Sequence, residues 1–186
     1  NGHEIVDSEE EADAIVINTC CFIHDAKEES VNTILEMAEY KKNGTCKILI
    51  VTGCMAQRYK EEITEEIPEV DAVLGTTSYG DIVKALNEAE AGHVFQEFKD
   101  INALPEDSGR RVITTGGHFG YLKIAEGCDK HCTYCIIPSL RGKFRSVPEE
   151  RLLKQAEYMA SQGVRELILV AQETTVYGTD LYGRSE

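Results

Sequence analysis

Short apolar runs alternate with amphipathic stretches along the first half of the chain. Ala14-Ile-Val-Ile-Asn18, Lys47-Ile-Leu-Ile-Val51 and Asp71-Ala-Val-Leu-Gly75 are continuous apolar runs between polar residues. That is the pattern of strands buried on both faces. Between the first two runs, Val31, Ile34, Leu35 and Ala38 recur at i, i+3, i+4 and i+7, which predicts a helix over 27–41. Gly44 stands where a helix C-terminus is usually followed by glycine. A second helix is predicted over 56–66 with a stop at Pro68, and Ser78 is placed to cap a third that carries Ile82, Val83 and Leu86 and closes at Gly92. Strands separated by amphipathic helices predict an α/β fold with an open, doubly wound parallel sheet. His3 to Val6 reads as the edge of one more strand, so the pattern begins midway.

The periodicity fades over 98–118, a stretch containing Pro105, Asp107, Ser108, Gly109, Gly116 and Gly117. It reads as a linker between an α/β domain at 1–97 that lacks its first strand and a second domain at 119–186. The second domain opens with a strand over 120–125. Ser146 and Glu149 have capping-box spacing ahead of Leu152, Leu153, Ala156 and Met159, Gly163 ends that helix, and a strand follows over 166–171. One β-α-β unit cannot cover both faces of a sheet. Both ends of the chain are therefore expected to be internal to a longer protein.

The candidate chemistry lies in the loop after the strand at 120–125, which reads Cys128-Asp-Lys-His-Cys132-Thr-Tyr-Cys135. Three thiolates at C-x3-C-x2-C spacing can converge on one soft metal centre. A four-iron cluster normally takes four such ligands, so three leave one iron open. A structural zinc site would draw a second C-x-x-C pair from elsewhere, and the sequence has none, although zinc in the same loop of a non-catalytic module stays a competing reading. Seven cysteines, an odd number, argue against a disulfide framework.

Two further cysteines occupy matching places in the first domain. Cys20 follows the strand ending at Asn18, and Cys54 follows the strand ending at Val51, each after a short polar turn. Ligands in open α/β sheets bind beyond the carboxyl ends of the strands, so these two thiols are expected at one sheet edge, with a third ligand upstream of Asn1. Cys21 is expected to point away from them, and Cys46 precedes a strand at the opposite edge. His24 and His118 read as ordinary turn residues.

The net charge of −14 excludes a chain-wide nucleic-acid clamp. Yet no carboxylate occurs between Lys130 and Pro148, while Arg141, Lys143 and Arg145 do, a basic strip suited to an anionic ligand. No run of about 18 apolar residues is present, so no membrane span is expected. The absence of a leader and the reduced cysteines point to the cytoplasm. No G-x-G-x-x-G or phosphate-loop pattern follows a strand, which removes an ordinary nucleotide-binding reading.

Asn-Thr-Cys20, Thr-Gly-Cys54-Met-Ala-Gln-Arg and the three-cysteine loop together resemble the radical S-adenosylmethionine methylthiotransferases, from the first residue to the last. The wording from Glu126 to Ser146 is similar to the RimO type, which adds a methylthio group to an aspartate of a small-subunit ribosomal protein. The related MiaB type, which modifies a tRNA adenosine, is the alternative. The resemblance implies that residues 119–186 begin a radical SAM partial TIM barrel. It also implies two 4Fe–4S clusters, S-adenosylmethionine, and an electron donor such as flavodoxin. Cys128, Cys132 and Cys135 would ligate the cluster that splits S-adenosylmethionine into a carbon radical. Cys20 and Cys54 would share the second cluster. Tyr134, Gln172, Arg141 and Arg145 fall where the cofactor would be bound, with Tyr134 either near the adenine or packed under the loop.

Overall fold

The computed structural model describes residues 2–104 and 111–184, in two compact units, Asn1–Pro105 and Glu106–Glu186. The first unit runs β1 (Ala14–Thr19), α1 (His24–Asn43), β2 (Ile48–Gly53), α2 (Cys54–Tyr59), α3 (Glu61–Glu66), β3 (Ala72–Leu74), α4 (Ile82–Glu90) and β4 (Phe95–Glu97). The strands form one sheet in the order β1-β2-β3-β4, every neighbouring pair parallel.

Side chains alternate between the faces of a strand. Ile48, Ile50, Ala72 and Leu74 pack with Ala85 of α4 on one face, with Phe95 of β4 beside them. Gln96, next along β4, instead donates to the Thr64 hydroxyl on α3 at 3.0 Å, so helices cover both faces. Leu49, Ile50 and Val51 are fully buried, as continuous apolar runs require.

Several elements differ from the sequence pattern. The helix expected over 56–66 is two helices, broken at Lys60, the one described non-glycine residue with positive φ (+43°). The buried stripe of α1 is Ser30, Ile34, Met37 and Ala38, while Leu35 is half exposed. Ser78 does not cap α4 with its side chain; its hydroxyl accepts from the Lys99 amide at 3.1 Å, and a 3-10 turn, Tyr79–Asp81, leads into the helix. His3 to Val6 is not a strand. β4 has no apolar run and forms by pairing with β3. Of the expected linker, 105–110 lies outside the described residues.

The second unit runs β5 (Phe119–Lys123), β6 (Ala125–Glu126), α5 (Ile137–Arg141), β7 (Arg145–Ser146), α6 (Glu149–Ser161), β8 (Glu166–Val170) and α7 (Thr179–Tyr182). β5 and β8 pair in parallel around α6, the β-α-β unit of the sequence pattern, and β6 and β7 form a small antiparallel ladder. Ser146 is not the cap of α6. It lies in β7, where its hydroxyl accepts from the Gly178 amide at 2.9 Å, and Pro148 takes the position before the helix.

Candidate metal centres

In the first unit, β1 and β2 run to Thr19 and Gly53, which are register partners, so Cys20 and Cys54 are each the next residue after a paired position. The turns interlock. The Thr19 hydroxyl donates to the Thr52 carbonyl at 2.6 Å. A Cβ on Gly53 would lie 2.4 Å from the Thr19 carbonyl oxygen, and Gly53 has φ of +98°, so only glycine suits this crossing. Ser30 of α1 grips the Cys20 backbone from both sides, accepting from its N–H at 3.0 Å and donating to its carbonyl at 2.8 Å.

Cys20 is exposed, Cys54 half-buried and Cys21 buried. Burial pushes the Cys21 thiol up, Cys54 nearby raises it further, and the Arg58 guanidinium, which hydrogen-bonds the sulfur, opposes both. Cys46 is buried and its thiol donates to the Ile48 carbonyl, a packing arrangement. His118 stacks edge-on against Phe119.

In the second unit, the cysteine loop leaves β6 through Gly127, whose φ is +75° and where a Cβ would meet the Lys143 carbonyl oxygen at 2.1 Å. Its first half is tied down. The Gly127 amide donates to the Gln172 side-chain carbonyl at 2.9 Å, and the Cys128 amide donates to the Gly142 carbonyl at 3.2 Å. The Asp129 carboxylate accepts from the Phe144 amide at 2.9 Å, and Lys130 forms an ion pair with Glu173. Its second half is open. Cys128 is buried, Cys132 exposed and Cys135 half-buried, with a turn closed by the Cys135 amide donating to the Cys132 carbonyl.

The ring of Tyr134 is 88 % exposed, so it is not packed under the loop. The basic strip is drawn inward. Arg141 lies 3.6 Å from the carboxylate of Glu126, which Lys123 also engages, and Arg145 donates to the Arg141 and Lys143 carbonyls. Sequence reasoning passed over Glu126, Asp129, Lys130 and Glu173. The signal was present for Glu126, a carboxylate ending an otherwise apolar strand and only 3 % exposed. Glu173 had no signal, because its partner lies 43 residues away on another loop.

Lys130 and Glu173 perturb one another. Lys130, then the Thr175 hydroxyl and amide, lower the Glu173 carboxyl to about 2, and Glu173 in turn holds the Lys130 ammonium above its usual value.

All seven cysteines are free thiols, and the donor set of the loop, three thiols on eight residues, suits an iron–sulfur cluster. Among the described residues, no group of three or more His, Cys, Asp or Glu side chains is gathered at metal-binding spacing. The fit is one of donor chemistry and of a loop whose first half is anchored and whose second half leaves Cys132 exposed. No described helix is long and apolar enough to cross a membrane.

Comparison with known proteins agrees with this division. An uncharacterised protein family, UPF0004, matches residues 1–75, and the radical SAM superfamily matches residues 122–183. A ribosomal protein uS12 methylthiotransferase RimO of Lachnoclostridium phytofermentans is 64 % identical over 98 % of this chain and 42 % of its own length. Proteins of the same name from Clostridioides difficile and Clostridium botulinum (strain Eklund 17B) are 51 % and 50 % identical over 98 % and 99 % of the chain. The chain spans 41 % to 42 % of the length of these three relatives. The chain is thus similar to the UPF0004 family in its first part and to the radical SAM superfamily in its second, and over nearly its whole length to proteins named as RimO methylthiotransferases.

Proposed function

We propose that the protein transfers a methylthio group from S-adenosylmethionine and cluster-bound sulfur to an aspartate of ribosomal protein uS12. The observation that carries this reading is the placement of Cys20 and Cys54 directly after the paired parallel strands β1 and β2, with three more cysteines in one loop after β6, in a chain so similar to proteins named for that reaction. Cys128, Cys132 and Cys135 hold a 4Fe–4S cluster with one iron open. Cys20 and Cys54 contribute to a second. When bound, such a cluster supplies single-electron reduction, which no side chain can provide. The chain's own part is to place the thiols, to anchor the loop and to shape the cofactor's surroundings.

Tyr134 stands free beside the third cysteine, open to a nucleoside base. Gln172 has its carbonyl oxygen on Gly127 and offers its amide N–H groups to the cofactor's amino-acid end by way of a carboxylate. Arg141 and Arg145 are the cationic members of the proposed set, each with an internal partner as well. The net charge of −14 suits a basic ribosomal protein, with a small redox protein such as flavodoxin as electron donor, in the cytoplasm.

The test uses full-length protein, loaded anaerobically and reduced in the presence of S-adenosylmethionine with uS12 and tRNA as separate substrates. Methylthiolated aspartate in uS12 is the expected product. Methylthiolation of tRNA alone would overturn the substrate assignment. Replacing Cys128, Cys132 and Cys135 together by alanine should remove about four irons per chain; an unchanged iron content would overturn the loop assignment.

A further inference from the structure

The geometry points to Gln172 and Glu173, the two residues after Ala171 beyond β8, as positioning residues that hold the first half of the three-cysteine loop for cluster binding. This rests on the reading that the loop ligates a cluster. Gln172 reaches back 45 residues to accept the Gly127 amide, at the position where the loop leaves β6. Glu173 pairs with Lys130, between the first two cysteines, and its carboxylate is fixed in turn by the Thr175 hydroxyl and by the Thr175 amide at 3.2 Å.

These contacts act on one segment. β5 and β8 are paired along their length, and the Ile124 amide donates to the Val170 carbonyl at 3.0 Å, so the ends of the two strands are tied to each other. Gln172 and Glu173 extend that coupling past the sheet into the loop. Cys128 therefore enters the site on a fixed backbone, while Cys132 and Cys135 remain on the open half. Outer groups that orient metal ligands typically matter for affinity, and here two side chains do so through Gly127, the residue before one ligand, and through Lys130, midway between two.

The experiment uses full-length protein carrying Gln172→Ala, Glu173→Lys, Lys130→Glu, or the charge swap Lys130→Glu with Glu173→Lys. Amide hydrogen exchange is read in iron-free protein, and transfer of iron to a chelator in loaded protein. Each single substitution should raise exchange at 127–130, and speed iron loss, by about three- to fivefold, the scale of a partly exposed ion pair or one hydrogen bond. Protection of α6 should stay unchanged, which separates loosening of the loop from general unfolding. The charge swap should restore both rates to within about twofold of the parent, as a double-mutant cycle requires of a direct pair. Exchange at 127–130 unchanged in every single variant, or a swap no better than its worse parent variant, would overturn the inference. A parent that exchanges as expected but takes up no iron at the loop would overturn the cluster reading instead.

Discussion

A methyl group on Gly53 would fall 2.4 Å from the Thr19 carbonyl oxygen and force a residue with φ of +98° out of the glycine-favoured region. Gly53→Ala should therefore destabilise the first unit by about 1–3 kcal/mol, read as a lower denaturation midpoint. It should also expose Cys54 to faster alkylation, since the turn that sets it beside Cys20 would open. The Glu173 carboxyl provides a second test at this scale. Lys130 and Thr175 lower it to about 2 from an ordinary 4.5. Its contribution to folding is complete above 4.5 and is lost as the pH falls from there through about 2. Carboxyl NMR should show Glu173 titrating near 2, and Lys130→Ala should move that midpoint toward 4.5; a parent midpoint already near 4.5 would contradict the ion pair.

Among the elements, the break between α2 and α3 falls on Lys60, whose backbone (φ +43°, ψ −117°) suits glycine. Lys60→Gly should raise stability by about 1 kcal/mol, measured by denaturant unfolding, because it relieves that conformation without removing a core contact. The apolar runs of β2 and β3 were legible from sequence because burial on both faces leaves no polar positions, whereas β1, at the end of the sheet order, alternates and leaves Val16 exposed, contrary to its pattern. β4, β6 and β7 were not, since strands of two or three residues owe their existence to a neighbour's unpaired backbone rather than to their own pattern. Ser146 shows the competition directly. Its spacing from Glu149 suits a capping box, but its backbone pairs with Ala125 and its hydroxyl goes to Gly178. Leu35 fits the helical period, yet Met37 takes the buried place.

For the molecule as a whole, the two sets of thiols were legible because cysteine chemistry is local, and the strand ends place them. The anchoring of the loop was not, because Gln172 and Glu173 act across 45 and 43 residues of sequence. On the proposed assignment of uS12 as substrate, an acidic protein meeting a basic one should associate more slowly as salt rises. Raising ionic strength from about 0.05 to about 0.3 M should lower the association rate with uS12 roughly tenfold; a salt-independent rate in stopped-flow mixing would contradict a charge-steered encounter.

Electron paramagnetic resonance of the loop cluster reaches the core of the account. Full-length protein with Cys20 and Cys54 replaced by alanine, reduced anaerobically, should show a single four-iron signal whose g values move when S-adenosylmethionine is added. A signal indifferent to S-adenosylmethionine, or zinc bound without labile sulfide, would contradict an open iron held by Cys128, Cys132 and Cys135.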